Sequence, residues 1–319
     1  MGNTAFLDTH SLDRNDLEWR SLLEITPQLA RFPATAPDQT MDRIRDAEII
    51  ISNKVILDAP VLAQAHKLKL ICVAATGTNN VDLDYCQQRG ITVCNVRDYA
   101  TASVVQHTFT LILALSTRLL DYQQAIQRGD WSRSDQFCLM DFPIAELQGK
   151  TLGIIGYGVL GKAVADLAHA FGMSVLISNR PGSHDCPLGR TPFDSVIAES
   201  DIISLHCPLA DNTRELISAQ VLEKMQDHAL LINTARGGLI DEDALAQALR
   251  NNTIGGAGLD VLSQEPPPED HVLLSGDIPN LVITPHTAWA SQPSRQRLLN
   301  QLADNISAFL NGQPRNVVT

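Results

Sequence analysis

The chain has 319 residues, and its 24 Lys and Arg against 36 Asp and Glu give a formal net charge of −12 with His neutral. At roughly 100–200 residues per domain, this length predicts two domains with buried cores. Hydrophobic residues make up 44% of the chain and charged residues 19%, which excludes the disordered, collagen-like and disulfide-stapled classes. The acidic balance provides no basic footprint, so neither a nucleic acid nor an anionic membrane is expected as a partner.

The N-terminal segment and the cysteines indicate the compartment. Asp8 comes early and no basic residues precede an apolar run, so no signal peptide is predicted. The most apolar stretch, residues 109–115, is too short to span a membrane. The six cysteines are scattered, without a C-x-x-C pair or zinc-like spacing. We therefore expect a cytoplasmic protein with reduced cysteines and no metal ion.

Short apolar runs alternate with helix-length segments along almost the whole chain. The candidate strands are residues 5–8, 48–51, 68–73, 91–94, 152–155, 175–177, 202–205, 230–233, 257–261 and 281–284. Several are apolar throughout, as expected of strands covered on both faces of a parallel sheet. The alternation predicts an α/β fold with right-handed crossovers.

Two long amphipathic helices are candidate domain boundaries. One has Thr101 as its N-cap and an apolar stripe from Val104 to Leu119, and the other has a stripe from Leu298 to Leu310 before Gly312 and Pro314. If both helices cross between domains, the N-terminal part and the last helix form one domain around a central one. A single large sheet is the alternative.

A glycine-rich turn follows the candidate strand 152–155. Residues 156–161 (GYGVLG) match G-x-G-x-x-G and open a helix with an apolar face made by Leu160, Ala163, Val164, Leu167, Ala168 and Phe171. In a dinucleotide-binding turn, Gly156 would allow the tight turn, Gly158 the approach of a pyrophosphate, and Gly161 the close packing of helix and strand. The alternative is a glycine turn without a ligand.

The next strand ends at the position that reads the adenosine ribose in dinucleotide-binding folds. An NAD-preferring site has Asp or Glu there, whereas this chain has Ser178, Asn179 and Arg180. No carboxylate would repel a 2′-phosphate, and Arg180 could bind one with two hydrogen bonds. We therefore expect NADP(H) to be preferred, with use of both cofactors; the alternative is that Arg180 is only a solvated loop charge.

Polar side chains follow three later strands. Arg236 follows strand 230–233, Asp260 and Glu265 follow strand 257–261, and His286 follows strand 281–284. In open α/β sheets ligands bind outside the carboxyl ends of the strands, so these side chains should converge with the glycine turn. Hydride transfer to a 2-oxo acid needs a cation for the carboxylate and carbonyl, which suits Arg236, and a proton donor, which suits His286 oriented by Glu265.

Several segments together resemble the D-isomer-specific 2-hydroxyacid dehydrogenase family, with the strongest likeness to its glycerate dehydrogenase / hydroxypyruvate reductase branch. They are residues 74–82 (AATGTNNVD), the GYGVLG turn, residues 233–238 (NTARGG), Asp260 with 265–267 (EPP), and 284–286 (TPH). The branch is indicated by ATGTNNVD, by residues 104–109 (VVQHTF) and by 286–289 (HTAW). The resemblance extends from residue 68 to the last helix.

The resemblance implies an architecture and a set of site residues. The fold would be α/β with two Rossmann-like or flavodoxin-like parallel-sheet domains: an NAD(P)-binding Rossmann domain, 100–289, inserted in a discontinuous substrate domain, 1–99 and 290–319. The catalytic set would be Arg236, Glu265 and His286, with substrate contacts from Ala75, Thr76, Gly77, Arg236 and Trp289. Cofactor contacts would fall on Gly156, Gly158, Val159, Leu160, Gly161, Asn179, Arg180, Cys207, Pro208, Thr213, Thr234, Ala235, Asp260 and His286.

The implied reaction is NAD(P)H-dependent reduction of a small 2-oxo acid, hydroxypyruvate and also glyoxylate, to D-glycerate and glycolate. Only 33 residues follow His286 (319 − 286) and no basic cluster marks a phosphate handle, so an unphosphorylated substrate is expected. Asn79 departs from the Asp of many relatives. The resemblance also implies a homodimer. The alternatives are a family member acting on another small acid such as phosphite, and a dinucleotide-sensing, corepressor-like binding protein.

Overall fold

The computed structural model describes residues 3–183 and 185–319. The chain divides into two compact units, which are Met1–Ala100 together with Trp289–Thr319, and Thr101–Ala288. Each unit is built around one sheet whose strands are all parallel. The α/β class that the alternation of apolar runs predicts is confirmed, as are the two parallel sheets that the resemblance implies, and the alternative of a single large sheet is wrong.

The first unit has a five-stranded sheet in the order β2-β1-β3-β4-β5, the flavodoxin-like order. Its strands are β1 (Thr4–Phe6), β2 (Leu29–Arg31), β3 (Ile49–Ser52), β4 (Leu70–Val73) and β5 (Thr92–Cys94). Its helices before residue 100 are α1 (Arg20–Ile25), α2 (Pro37–Ile44), α3 (Ala59–Leu62) and α4 (Leu83–Arg89).

Strand β2 has no counterpart among the ten candidate strands. It pairs with only one neighbour, β1, and lies at the edge of the sheet. Leu29 is half-buried while Ala30 and Arg31 are exposed, so the segment lacks the apolar run by which the buried strands were found. An edge strand of three residues is specified by its pairing, which no local pattern shows.

The second unit begins with α5 (Thr101–Ser116) and α6 (Leu119–Gln127) and then alternates strands and helices. The strands are β6 (Thr151–Ile155), β7 (Ser174–Ile177), β8 (Ile202–Leu205), β9 (Leu230–Asn233), β10 (Gly256–Leu259) and β11 (Leu281–Ile283). The helices are α7 (Val159–Ala170), α8 (Phe193–Glu199), α9 (Ala219–Leu222) and α10 (Glu242–Arg250).

The strand order of this sheet is β11-β10-β9-β8-β6-β7, so the chain reverses direction across the sheet at β6. Strand β7 pairs on one side of β6 and β8 on the other. A crevice opens at such a switch point, outside the carboxyl ends of the strands, and this is where doubly wound folds bind ligands. The segments after β6 and β8 are therefore the first place to look for a site.

The predicted helix from residue 101 to Leu119 is interrupted, which corrects its boundaries. Thr101 is the first helical residue and not a cap, and α5 ends at Ser116. Arg118 has a left-handed backbone with φ of 54°, and α6 begins after it with Leu119 52% exposed. The hydroxyl of Thr117 donates to the carbonyl of Leu113, and Arg118 pairs with Asp121; these side-chain contacts hold the break.

Within the described ranges, no single helix has the length and apolar composition to cross a membrane; α5 and α6 reach that composition only jointly, across a 59° bend.

The last helix, α11 (Gln292–Leu310), belongs to the first unit. Ser291 caps it by accepting from the backbone N–H of Ser294. The predicted stripe is buried at Leu298, Leu299, Leu302 and Ile306, but Leu310 at its end is exposed. The helix stops at Asn311, one residue before Gly312, which has a positive φ. Likewise Phe171, assigned to the apolar face of α7, is exposed on one side and stacks on Phe109.

Candidate active site

The glycine turn after β6 is tight on one side and open on the other. Gly156 has φ of 97°, and a Cβ there would lie 2.3 Å from the backbone nitrogen of Cys207. A Cβ on Gly161 would lie 2.1 Å from the carbonyl oxygen of Gly156. A Cβ on Gly158, which caps α7, would meet nothing within 4 Å. The turn therefore has no room for a side chain at Gly156 and Gly161, where β6, β8 and α7 pack together. At Gly158 the surface of the turn is open.

This arrangement fits a dinucleotide pyrophosphate. The first N–H groups of α7 point out of the turn, and the helix dipole favours a negative charge there. Val159 is exposed at this end of the helix, and Leu160 is half-buried beside it. The structure thus gives Gly156, Gly158 and Gly161 the separate steric roles that the sequence predicts for them.

The segment after β8 packs against the turn through its backbone. Burial raises the pKa of the Cys207 thiol, so this cysteine stays protonated and is a poor nucleophile. The hydroxyl of Thr213 donates to the carbonyl of Pro208 and accepts from the N–H of Ala210, each at 2.8 Å. Thr213 therefore fixes the shape of this loop.

At the end of β7, the three residues at the ribose-reading position differ in their surroundings. Ser178 is buried and its hydroxyl donates to the carbonyl of Asn179 at 2.7 Å. The amide of Asn179 donates to the carbonyl of Asp185 at 2.6 Å, which commits it to the following loop. The side chain of Arg180 is exposed, and none of its donors hydrogen bonds to residues 3–183 or 185–319.

Arg236 lies in a turn that β9 and its neighbours hold rigidly. The buried amide of Asn233 donates to the carbonyl of Arg236 at 2.8 Å and accepts from the N–H of Ala235 at 3.0 Å. A Cβ on Gly237 would lie 1.9 Å from the carbonyl carbon of Leu262. Only glycine fits there, so the backbone beside Arg236 packs directly against the loop that carries Glu265. The guanidinium itself is exposed and donates to the carbonyl of Ala235.

Glu265 and His286 form a hydrogen-bonded pair. The Nδ1 atom of His286 lies 2.6 Å from Oε2 of Glu265, while Oε1 accepts from the N–H of Leu262 at 3.0 Å. A carboxylate can only accept, so Nδ1 carries a proton and Nε2 is the end of the ring left to exchange a proton with a ligand. The two side chains are 31% and 35% exposed, which leaves the pair accessible.

Asp260, at the end of β10, holds the segment that bears His286. It is 1% exposed, and its oxygens accept from the N–H groups of Thr287 at 2.9 Å and Ala288 at 2.8 Å and from the hydroxyl of Thr284 at 2.6 Å. Burial acts to raise the pKa of Asp260, but the hydrogen bonds from His107, Thr284 and the backbone outweigh it and hold the pKa below its usual value. Asp260 is therefore an ionised carboxylate inside the unit.

Sequence reasoning gave no individual role to His107, which completes this network. Its Nε2 lies 2.8 Å from the hydroxyl of Thr284 and 3.4 Å from Oδ1 of Asp260. The signal in the sequence is a histidine three residues after Val104 and four before Leu111, on a helix face that is otherwise apolar. Thr108 beside it shares a hydrogen bond of 3.1 Å with the hydroxyl of Thr234.

The predicted substrate contacts Ala75, Thr76, Gly77 and Trp289 belong to the first unit. The turn 75–77 follows β4, and the amide of Asn95 donates to the carbonyl of Thr76 at 2.7 Å. The hydroxyl of Thr76 donates to the carbonyl of Val96 at 3.0 Å. Trp289 packs edge-on against Tyr99, with ring centroids 6.2 Å apart. This unit therefore presents an anchored turn after a buried strand.

The second unit brings a glycine cradle, a rigidly mounted arginine and a histidine–carboxylate pair to the carboxyl ends of adjacent parallel strands. In residues 3–183 and 185–319, no three His, Cys, Asp or Glu side chains cluster closely enough to hold a metal ion. A cation and a proton donor beside a dinucleotide cradle suit carbonyl reduction by a nicotinamide.

Comparison with known proteins agrees with this chemistry. A family model described as D-isomer specific 2-hydroxyacid dehydrogenase, NAD binding domain, matches residues 109–288. The chain is 46% identical to glycerate dehydrogenase of Methylorubrum extorquens, over 98% of both chains. It is 36% identical to hydroxypyruvate reductase of Blautia hydrogenotrophica, also over 98% of both. NADPH-dependent glyoxylate/hydroxypyruvate reductase from Sinorhizobium meliloti, solved in complex with citrate, has a TM-score of 0.84 at 28% identity, covering 100% of this chain and 98% of that one.

These matches confirm the family and the enzyme class predicted from the sequence, an NAD(P)-dependent 2-oxoacid reductase of the glycerate dehydrogenase and hydroxypyruvate reductase type. The residues 109–288, which match the NAD binding domain model of this family, lie within the second unit. The chain therefore belongs to the D-isomer-specific 2-hydroxyacid dehydrogenase family.

Proposed function

We propose that the protein reduces hydroxypyruvate to D-glycerate, and glyoxylate to glycolate, with a preference for NADPH over NADH. The observation that carries this proposal is the 2.6 Å contact between Nδ1 of His286 and Oε2 of Glu265, which leaves Nε2 as the ring atom that can exchange a proton with a substrate. The names of the relatives support the substrates, because they include a glycerate dehydrogenase and a hydroxypyruvate reductase.

Arg236, Glu265 and His286 form the proposed catalytic set. The guanidinium of Arg236 binds the carboxylate and carbonyl oxygens of the oxo acid and polarises the carbonyl. The carboxylate of Glu265 orients His286 and stabilises its protonated form. His286 then gives the Nε2 proton to the carbonyl oxygen as the alcohol forms. When bound, the nicotinamide supplies the hydride that the carbonyl carbon receives.

The proposed cofactor contacts extend from the glycine turn to the end of β11. Backbone groups of the turn would receive the pyrophosphate, and Asp260 would contribute near the nicotinamide carboxamide. The residues in this proposed set are Gly156, Gly158, Val159, Leu160, Gly161, Asn179, Arg180, Cys207, Pro208, Thr213, Thr234, Ala235, Asp260 and His286. The NADPH preference rests on Arg180 and on the lack of a carboxylate at residues 178–180.

We further propose that the first unit is the substrate domain and the second the NAD(P)-binding domain, in a cytoplasmic enzyme. The backbone N–H groups of Ala75, Thr76 and Gly77 would bind the substrate carboxylate, and Trp289 would border the substrate. In support, the turn 75–77 is held by Asn95 and Val96, so its N–H groups have a fixed direction.

A homodimer formed through the second unit is the proposed assembly. The segment 119–144 exposes seven large apolar side chains: Leu119, Leu120, Ile126, Trp131, Phe137, Met140 and Ile144. Phe137 is 90% and Met140 82% exposed. Large apolar side chains exposed together in one segment are typical of a protein interface, and a second copy of this chain is the partner we propose. Sedimentation of the purified chain, with Phe137→Ser and Met140→Ser as a paired variant, tests it.

The decisive experiment measures initial rates of NADPH and NADH oxidation with hydroxypyruvate, in parallel, and then with glyoxylate, pyruvate and a phosphorylated 2-oxo acid. We expect turnover with hydroxypyruvate and glyoxylate and a higher kcat/KM for NADPH. Turnover with NADH alone would retain the reaction and refute the cofactor preference. Turnover only with a different acid would refute the substrate, and cofactor binding without any turnover would favour a dinucleotide-sensing binding protein.

A further inference from the structure

A second arginine stands beside the ribose-reading position, brought there by a short parallel pairing. The N–H of Thr191 donates to the carbonyl of Ile177, and the N–H of Asn179 donates to the carbonyl of Thr191, both at 2.8 Å. Ser178 and Thr191 thus form a bridge that extends β7 by one residue. Arg190 immediately precedes this bridge, so its backbone is fixed next to the end of the strand.

The guanidinium of Arg190 connects the end of β7 with the glycine turn. It lies over the ring of Tyr157, the second residue of the turn, with 5.3 Å between its carbon and the ring centroid. Its Nη1 donates to the carbonyl of Ser178 at 3.3 Å. Arg190 is half-buried, and no carboxylate of residues 3–183 or 185–319 lies within ion-pair distance of it. Most of its five donors therefore remain available.

This position matches the path of a bound dinucleotide. The pyrophosphate of such a cofactor lies on the turn that contains Tyr157, and the adenosine ribose lies at the end of the second strand, where Ser178 stands. A guanidinium that touches both is beside the ribose hydroxyls. Stacking on the ring holds the planar fork in one orientation, so less entropy is lost when it binds a phosphate.

We propose that Arg190 is the anchored cation that binds the 2′-phosphate of NADP(H), acting with the exposed Arg180. This inference rests on the proposed cofactor preference and names a residue that carries it. Two guanidinium groups would then face the phosphate. Tyr157 and Ser178 hold the guanidinium of Arg190 in place before the ligand binds, whereas the side chain of Arg180 is exposed to solvent. Hydrogen bonds between a guanidinium and a phosphate are stronger than those between neutral groups, so replacing Arg190 should measurably weaken binding of the 2′-phosphate.

The test is calorimetric titration of the full chain with 2′,5′-ADP and with 5′-ADP, which differ in the 2′-phosphate. The wild-type protein should bind 2′,5′-ADP at least about 10-fold more tightly. Arg190→Ala should weaken 2′,5′-ADP binding by roughly 10- to 100-fold and leave 5′-ADP within about 2-fold. Arg190→Lys keeps the charge without the planar fork and should fall between the two.

Arg89 provides a matched control. Its guanidinium also lies over a tyrosine ring, that of Tyr85, at 5.9 Å, but on the first unit. Arg89→Ala should change neither titration. Thermal melting of each variant shows that the fold is retained, and Arg190→Lys serves as the test if Arg190→Ala does not fold.

The possible failures differ in what they refute. Equal binding of both ligands by the wild-type protein would refute the NADPH preference, and the role of Arg190 with it. Discrimination that survives in Arg190→Ala and Arg190→Lys would refute only the role of Arg190. An equal loss for both ligands in Arg190→Ala would show that the residue merely supports the turn, and would also overturn the inference.

Discussion

Asp260 fixes the backbone of His286 from both sides. The N–H of His286 donates to the carbonyl of Asp260 at 2.8 Å, and the carboxylate of Asp260 accepts from the two following N–H groups. His286 has φ of 53°, a left-handed conformation that costs a non-glycine residue about 1–3 kcal/mol. The hydrogen bonds that this one buried aspartate accepts offset that cost and direct the imidazole toward Glu265.

Asp260→Asn should therefore release His286 while preserving size. The asparagine amide has one acceptor oxygen instead of two, so the N–H of either Thr287 or Ala288 would face the NH₂ group and lose its acceptor. Leaving one buried N–H without an acceptor costs about 1–3 kcal/mol of unfolding free energy. We expect a lower melting temperature and a fall in kcat of at least about 10-fold, since a displaced proton donor slows the chemical step. Differential scanning calorimetry and steady-state rates on hydroxypyruvate measure both. Unchanged kcat would show that Asp260 does not position His286.

His107 supports the same network through one hydroxyl. The hydroxyl of Thr284 has a single proton, which it donates to Asp260, so Nε2 of His107 must be the donor to Thr284. His107→Gln can still donate from its amide, whereas His107→Leu cannot. We expect His107→Leu to lose about 1–3 kcal/mol of unfolding free energy and much of kcat, and His107→Gln to retain most of both. Equal behaviour of the two variants in urea unfolding and in kcat would contradict this assignment.

Two glycines of the turn should separate stability from cofactor binding. A Cβ on Gly161 would collide with the carbonyl of Gly156 at 2.1 Å, so Gly161→Ala should lower the melting temperature of the protein. A Cβ on Gly158 would have no atom of residues 3–183 or 185–319 within 4 Å and would enter the space where we propose that the pyrophosphate binds. Gly158→Ala should melt within about 2 °C of the wild type, because a surface change away from contacts costs little. Its affinity for NADPH, followed by fluorescence, should fall sharply.

The strand-turn-helix at residues 151–170 could be predicted from the sequence because its signals are local. An apolar strand, three glycines at fixed spacing and a helix periodicity all lie within twenty residues. The contact between Glu265 and His286 was predictable for a different reason. Parallel strands bring their carboxyl ends to one edge, so residues after each strand meet regardless of their separation along the chain.

Features that depend on pairing or on single long-range hydrogen bonds could not be predicted in this way. His107 and Thr284 are 177 positions apart, and no local sequence pattern around either residue predicts that they are in contact. The end of α5 depends on the hydroxyl of Thr117 and the ion pair of Arg118, while the apolar stripe continues past them. Arg190 was overlooked because the loop before it has no regular pattern, and only the bridge to Ser178 brings it to the site.

His206 gives the folded protein a pH dependence of known sign. Burial lowers the pKa of His206 to about 4, from the ordinary value of 6.5. Between these values the unfolded chain binds a proton that the folded protein does not, so stability is complete above pH 6.5 and falls as pH drops toward 4. His206→Gln removes this contribution. As the pH falls from 6.5 to 4, the free energy of unfolding of the wild type should decrease relative to that of the variant by about 1.4 kcal/mol per pH unit. Urea unfolding at a series of pH values measures this difference. A constant difference would show that folding does not lower the pKa of His206.

The catalytic set should separate into binding and chemistry when its members are changed singly. His286→Gln removes the proton donor and should lower kcat by about 10²- to 10⁴-fold, a much larger effect than its effect on the Kd for NADPH. Glu265→Gln keeps the shape of its side chain but removes the charge that favours protonated His286. It should lower kcat by a smaller factor and add little to the loss in His286→Gln, because the two side chains act as one unit. Arg236→Lys retains a charge without the fork, so it should raise KM for the oxo acid more than it lowers kcat. Single-turnover rates and fluorescence titrations distinguish these effects. Additive losses in the Glu265 and His286 double variant would mean that the 2.6 Å contact plays no part in the proton transfer.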